Sequence, residues 1–312
     1  MSSCGSYSLA NKKFGFIGTG AMNGSIIRSI IQQSNPMIQP QQVFAYDPNV
    51  EFLNKIVQET NIQKCSNNDE MIHTCDVIIL GVKPQSLESV LKEASTAFGK
   101  KKSDLLLISI AAGYKISTIY EHLAQIAQTN ERTLDEFFSV IRVARVMPNI
   151  CCTVEESASA FVLGKPPFGA SKHITLDTME NDRSVVHMIF SMIGECVSLS
   201  DESYLDAVTG LSGSGPAFAF MFIEALAEAG VYCGLGRETS NILAAQTVLG
   251  AAKMVLKEKV SPAVLKDRVV SPSGTTSRGV LALEEGSFRG TVMKAVIAAT
   301  ERSIELGKPS KL

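Results

Sequence analysis

Short apolar runs separated by helical stretches fill the first 200 or so residues. Lys13 to Ile17 predicts a strand that enters a glycine turn, and Ser25 to Gln33 continues as a helix. Further apolar runs predict strands at Val43 to Tyr46, Val77 to Val82, Leu105 to Ile110, Arg142 to Met147, Ala158 to Leu163 and Glu195 to Leu199. Strands that alternate with helices predict a mostly parallel, doubly wound α/β sheet. Two stretches, Gln125 to Glu136 and Gly164 to Asp177, are expected to be surface elaborations, the second being rich in Gly, Pro and polar residues.

From Asp201 the texture changes. Ala217 to Ala229 is apolar almost all round, with Pro216 suited to a first helical turn. Helical patterns follow at Arg237 to Leu256, Pro262 to Val270, Thr276 to Glu285 and Phe288 to Leu306, with no strand-like alternation. The expected organisation is an α/β domain over 1–200 and an all-α domain over 201–312. A first helix this apolar does not suit a lone monomer, so its surface is expected to be a dimer interface.

The composition narrows the classes. Hydrophobic residues are 45% and charged residues 19%, ordinary for a folded domain, and the formal net charge of −2 gives no electrostatic reason for a nucleic-acid or membrane partner. No apolar run reads as long enough to span a bilayer. The N-terminal MSSCGSYSLANKK lacks an apolar core and reads as a loose tail rather than a secretory signal, which points to the cytoplasm. Seven cysteines, without a Cys-x-x-Cys pair, read as reduced, buried or half-buried thiols and not as a metal site.

Gly18-Thr19-Gly20-Ala21-Met22-Asn23-Gly24 lies between the first strand and the first helix. Gly18 permits the tight turn, and Gly20 lets backbone approach a pyrophosphate seated at the helix N-terminus. Asn23 stands where the third glycine of such turns is found, and its tolerance of left-handed backbone is the expected reason the turn survives. Asp47 closes the second strand, where dinucleotide folds place a carboxylate on the ribose 2′-hydroxyl; a helix N-cap before Pro48 is the competing reading. As a ribose ligand Asp47 repels a 2′-phosphate, which favours NADH over NADPH. Gly81-Val82-Lys83-Pro84 and Ser109-Ile110-Ala111-Ala112-Gly113 end the third and fourth predicted strands, where open α/β sheets bind ligands. Lys83 reads equally as a cofactor contact or as a solvated loop lysine.

In the helical half, Ser271-Pro272-Ser273-Gly274-Thr275-Thr276 offers hydroxyls and consecutive N–H groups at a helix N-terminus, suited to a carboxylate. By spacing alone an ordinary capped loop is the better reading, both for it and for Gly210 to Pro216. Together with Arg145 to Asn149, Gly250 to Met254, Leu283-Glu284, Phe288-Arg289 and Arg302 to Gly307, these segments resemble the signature stretches of the pyrroline-5-carboxylate reductase family, in order from about Phe14 to Lys308. The resemblance implies a Rossmann domain, a helical dimerisation domain, often a ring of dimers, and NADH- or NADPH-dependent reduction of 1-pyrroline-5-carboxylate to proline. It also implies that Ile17 to Met22, Asp47, Asn68, Gly81 to Pro84 and Ile110 to Ala112 touch the dinucleotide. By the same resemblance Gly274, Thr275 and Thr276 bind the substrate carboxylate, and Ser271 and Thr276 lie beside the imine as the catalytic pair. The chain departs from the family pattern at Asn23, at Ser273 in place of a loop glycine, at Cys151-Cys152, and in the two longer loops.

A protonated iminium is already electrophilic, so no strong protein acid is required, and all four histidines (73, 122, 173 and 187) precede the helical half. A 3-hydroxy-acid dehydrogenase is the rival enzyme, but Gly210 to Glu224 holds neither the Lys nor the Asn that resemblance to that family would imply. A non-catalytic dinucleotide sensor is the rival outside enzymes. A broken substrate loop would be its mark, and Thr275 and Thr276 are both present.

Overall fold

The structure is a computed structural model that describes residues 9, 11–33, 37–167 and 174–307. Residues 168–173 of the second expected elaboration, with His173, lie outside the described residues, as do most of the N-terminal positions.

Eight strands form one sheet. In chain order the elements are β1 (Phe14–Ile17), α1 (Ala21–Ile31), β2 (Val43–Tyr46), α2 (Val50–Thr60), β3 (Gln63–Lys64), α3 (Asn68–Thr74), β4 (Val77–Leu80), α4 (Pro84–Glu93), α5 (Ser95–Lys100), β5 (Leu105–Ser109), α6 (Ile116–Thr129), α7 (Leu134–Val140), β6 (Ile141–Met147), β7 (Ser157–Leu163), α8 (Leu176–Ser191) and β8 (Gly194–Ser198). The strand order is β3-β2-β1-β4-β5-β6-β7-β8, parallel throughout except that β7 runs antiparallel to β6. The first six strands thus follow the order of dinucleotide-binding folds.

Alternation along the strands explains the two covered faces. Ile78 and Leu80, Leu105 and Leu107, and Ile141 and Val143 enter one core. Val77 and Ile79, Leu106 and Ile108, and Ala144 and Val146 enter the other. Successive side chains point to opposite faces, so a strand buried on both reads as an unbroken apolar run. That is why the sequence locates these strands well. β3 escapes the pattern because it has only two residues, both exposed.

Three expectations are corrected by packing. Leu9, placed in a loose tail, is 4% exposed in the core, and its carbonyl accepts from Lys12 N and Gln42 Nε2. Gln125 to Glu136 is not a surface elaboration throughout. It begins inside α6, where Ile126 and Ala127 are buried, and the Arg132 guanidinium donates to the Lys101 carbonyl at 2.7 Å. Among the described cysteines, Cys233 is exposed at the end of a helix while Cys65, Cys75, Cys152 and Cys196 are buried.

After β8 the chain is helical: α9 (Tyr204–Val208), a π-helical turn (Thr209–Gly213), α10 (Gly215–Tyr232), α11 (Arg237–Glu258), α12 (Pro262–Val269), α13 (Thr275–Glu285) and α14 (Phe288–Leu306). Two compact units result. One comprises Met1–Gly213 with Thr300–Leu312, the other Ser214–Ala299. The change of texture near residue 200 marks where strands stop, since β8 ends at Ser198. The end of the chain joins the first unit, where the Ser303 hydroxyl donates to Asp206 at 2.6 Å. Within the second unit α10 packs on α11, yet Phe220, Met221, Ile242 and Leu243 stand exposed.

The helical run Tyr204–Tyr232 is long and apolar enough, by length and composition, to cross a membrane, with mean hydropathy 1.2. The sequence expectation of no such run is corrected here. The run takes in α9, the π turn and α10.

Candidate functional site

The carboxyl ends of β3, β2, β1, β4 and β5 lie side by side, because these strands are parallel neighbours. Ile17 is the last residue of β1 and is 2% exposed. Gly18 follows with φ +84°, a conformation natural only to glycine, and a Cβ there would come within 3.1 Å of Val82. Its N–H donates to the Tyr46 carbonyl at 2.9 Å, which ties the turn to β2. Gly20 is the N-cap of α1 and supplies no side-chain cap, so the first amides of the helix, Ala21 and Met22 included, receive no acceptor from it. A Cβ on Gly20 would meet nothing within 4 Å. An uncapped helix N-terminus open to solvent is the arrangement that receives a phosphate. Met22 is half-buried, its sulfur 3.4 Å from that of Cys152, whose thiol pKa is pushed up by burial.

Asp47 sits at the end of β2 and acts locally as a clamp. Its carboxylate accepts from Thr19 N at 2.6 Å, Thr19 Oγ1 at 3.2 Å and Asn49 N at 2.8 Å. The alternative reading of Asp47 as the cap of the next helix is not what forms. Asn49 is the N-cap of α2 and accepts from Glu51 N and Phe52 N. Asn68 opens α3 beyond β3. It is 6% exposed, and its Oδ1 has no hydrogen-bond partner. A buried amide oxygen left unpaired is costly, and it marks a place where a donor from a ligand or water fits.

Gly81 and Val82 are half-buried after β4, Lys83 is exposed, and Pro84 starts α4. Ile110, Ala111 and Ala112 follow β5, with Ala111 N donating to Ser109 Oγ at 3.3 Å. All fifteen residues expected at the dinucleotide therefore lie in the first unit, on strand ends, turns and helix starts. Asn23 does not take the left-handed backbone expected of it. It lies inside α1, and the left-handed position of the turn belongs to Gly18.

The second set lies in the other unit. Gly274 is the N-cap of α13 and again provides no side-chain cap, so the amides of Thr275 and Thr276 receive none. A Cβ at Gly274 would fall 2.2 Å from the Ser271 hydroxyl, so only glycine leaves that hydroxyl its place. Ser273 carries φ +57°, the left-handed backbone that a glycine would occupy without strain. The loop brings Ser271, Gly274, Thr275 and Thr276 onto one turn, with Thr276 half-buried and Thr275 exposed.

Two residues hold the first unit's loops: Glu202, which the sequence did not single out, and Asn149, the last residue of a signature segment. Glu202 accepts from the Ile116 amide and from Arg145, both at 2.8 Å. Asn149 donates through Nδ2 to the Ser212 carbonyl in the π turn at 2.9 Å and accepts from Cys151 N through Oδ1. Glu202 has no sequence signature, because its partners Ile116 and Arg145 are remote in the chain.

The chain is 41% identical over 300 residues to a pyrroline-5-carboxylate reductase of Methanosarcina acetivorans, covering 96% of this chain and 100% of that one. It belongs to the pyrroline-5-carboxylate reductase family. Residues 202–306 match the profile described as pyrroline-5-carboxylate reductase dimerisation, and residues 13–113 match that of the NADP oxidoreductases, coenzyme F420-dependent. Among solved structures, a pyrroline-5-carboxylate reductase from Coxiella burnetii superposes with TM-score 0.81 at 28% identity, covering 96% of this chain and 99% of that one. The Plasmodium falciparum pyrroline carboxylate reductase with NADP bound gives TM-score 0.73 at 32% identity, covering 96% and 100%. The activity is accordingly that of an oxidoreductase reducing pyrroline-5-carboxylate in proline biosynthesis. The apolar run Tyr204–Tyr232 lies wholly within the dimerisation profile.

Proposed function

We propose that the edge of strand ends in the first unit holds the nicotinamide dinucleotide, and that the Ser271–Thr276 turn holds the substrate's carboxylate. The observation that carries the reading is the pair of uncapped helix N-termini, at Gly20 and at Gly274. One suits a pyrophosphate and the other a carboxylate, since both offer free N–H groups in the positive field of a helix dipole. In domain terms, 1–200 binds the dinucleotide, while 201–312 binds substrate and self-associates.

The dinucleotide supplies the hydride. Gly18, Thr19, Gly20, Ala21 and Met22 take its pyrophosphate, Asp47 and Asn68 its ribose side, and Gly81 to Pro84 with Ile110 to Ala112 the remainder. The protein's own task is alignment. The Thr275 and Thr276 amides fix the carboxylate, and the Thr276 hydroxyl with Ser271 holds the ring nitrogen at a set distance, which lowers the barrier by orientation rather than by proton transfer. In crystals soaked with L-proline, the ligand's carboxylate is expected on the Thr275 and Thr276 amides. A carboxylate lodged elsewhere would remove this assignment.

For the cofactor we favour NADH over NADPH. Three donors converge on the Asp47 carboxylate just after β2, where a 2′-phosphate would meet it. The Plasmodium falciparum relative is an NADP complex, so the test is a direct comparison. Catalytic efficiency with NADH should exceed that with NADPH, and Asp47→Ser should narrow the gap several-fold. A clear NADPH preference in the unsubstituted enzyme would overturn it.

We further propose a homodimer through the exposed apolar faces of α10, α11 and α14, with a ring of dimers as the larger form. Light scattering of the full chain should return a mass that is an even multiple of 33.5 kDa. An active monomer would defeat the proposal.

A further inference from the structure

We propose that Asn23 is a positioning residue for the dinucleotide: one buried side chain that sets the glycine turn after β1 against the turn after β4. The inference rests on the preceding assignment of these turns to the dinucleotide and adds a residue that makes no contact of its own with the ligand.

Asn23 is 0% exposed. Its Nδ2 donates to the Gly18 carbonyl at 2.7 Å and to the Ile17 carbonyl at 3.3 Å, and lies 3.5 Å from the Ile79 carbonyl in β4. Three carbonyl oxygens around one end of the amide require its NH2 there, whichever way the group is drawn. The opposite end, Oδ1, is buried without a partner. A Cβ built on Gly81 would fall 2.2–2.5 Å from the Asn23 amide group. The third glycine of a dinucleotide turn exists to let helix and strand close together. Here the space between α1, β1 and β4 is filled instead by a polar side chain that grips the peptide of Gly18, the residue at φ +84°.

Two consequences follow. The orientation of the Gly18 peptide, and with it the amides of Thr19 to Met22, depends on a side-chain hydrogen bond that a glycine or alanine at 23 would not supply. Asn23 holds Gly81 to glycine, because the three nearest atoms to its Cβ position all belong to Asn23. The two positions are therefore coupled, and residues in contact give non-additive effects.

The test uses the full-length enzyme, with NADH and NADPH fluorescence titrations for Kd and steady-state kinetics for KM and kcat. Asn23→Ala and Asn23→Gly should raise the dinucleotide Kd and KM roughly three- to tenfold, the worth of one hydrogen bond. The kcat at saturating dinucleotide and the KM for pyrroline-5-carboxylate should stay within about twofold, a split that general loosening of the fold does not produce. Gly81→Ala alone should weaken dinucleotide binding further, and adding Asn23→Ala to it should restore part of the loss. Unchanged dinucleotide Kd in both Asn23 variants, or Gly81→Ala equally harmful in both backgrounds, would overturn the inference. Gly18→Val separates the two levels. If it leaves dinucleotide binding intact, the assignment of the turn fails; if it abolishes binding while the Asn23 variants bind normally, only the role of Asn23 fails.

Discussion

Thr276→Ala should lower kcat by roughly tenfold or more, with the melting temperature unchanged. The hydroxyl sits in the first turn of α13, half-buried, beside an N-cap that provides no side-chain cap. In the proposed complex it bonds a ring nitrogen that is charged when the imine is protonated. A hydrogen bond to a charged group is worth about 1.5–3 kcal/mol, which is a factor of roughly 10 to 150 in rate. Folding should not suffer, because alanine is at least as good a helix former as threonine. Thr276→Ser keeps the hydroxyl and should recover most of the activity. Stopped-flow measurement of the hydride-transfer step, with both reactants saturating, reads the effect directly. Rates equal to those of the unsubstituted enzyme would take Thr276 out of the mechanism.

The second large effect concerns stability. In β6 the Arg142 guanidinium meets the Asp182 carboxylate of α8 through two bonds, Nε to Oδ2 at 2.5 Å and Nη2 to Oδ1 at 3.2 Å. Side-chain exposures are only 8% and 6%. Burial pushes the Asp182 carboxyl pKa up even beside the guanidinium. Asp182→Ala leaves a buried cation with only the exposed Asp104 carboxylate, at 3.3 Å, as compensation. Breaking a buried pair costs about 3–5 kcal/mol, and the residual partner argues for the lower end. Urea unfolding should show that loss, while dinucleotide binding at 25 °C should hold, since Arg142 lies at the amino end of β6 and the ligand loops follow carboxyl ends. The double variant Arg142→Met with Asp182→Leu should recover most of the stability, because removing both charges leaves no desolvation cost. A single variant that unfolds at the same urea concentration as the parent would show that the pair contributes nothing.

Much of this architecture is legible in the order of residues alone. Strands announce themselves as short apolar runs, so β2 is expected and found over the same four residues. Glycine at 18 and at 274 follows from local backbone need and from a neighbour three residues away, both of which travel with the sequence. The signature segments from Arg145 to Gly307 name the family for the same reason: each is contiguous. Misreadings arose where the deciding partner is distant. Leu9 reads as tail until the core closes over it. Gln125 reads as surface until Ile126 and Ala127 are buried.

The sequence by itself determined the class of fold, the family, the glycine turn, the hydroxyl-bearing loop and the helical second half, because each is written in neighbouring residues whose spacing matches a local geometry. Tertiary structure alone decided the antiparallel course of β7, the clamp of Asp47 on Thr19, the grip of Asn23 on the turn and the closure of Arg142 on Asp182. Those outcomes depend on which groups meet across tens of residues, where burial makes every unpaired polar atom costly and no local pattern records the partner.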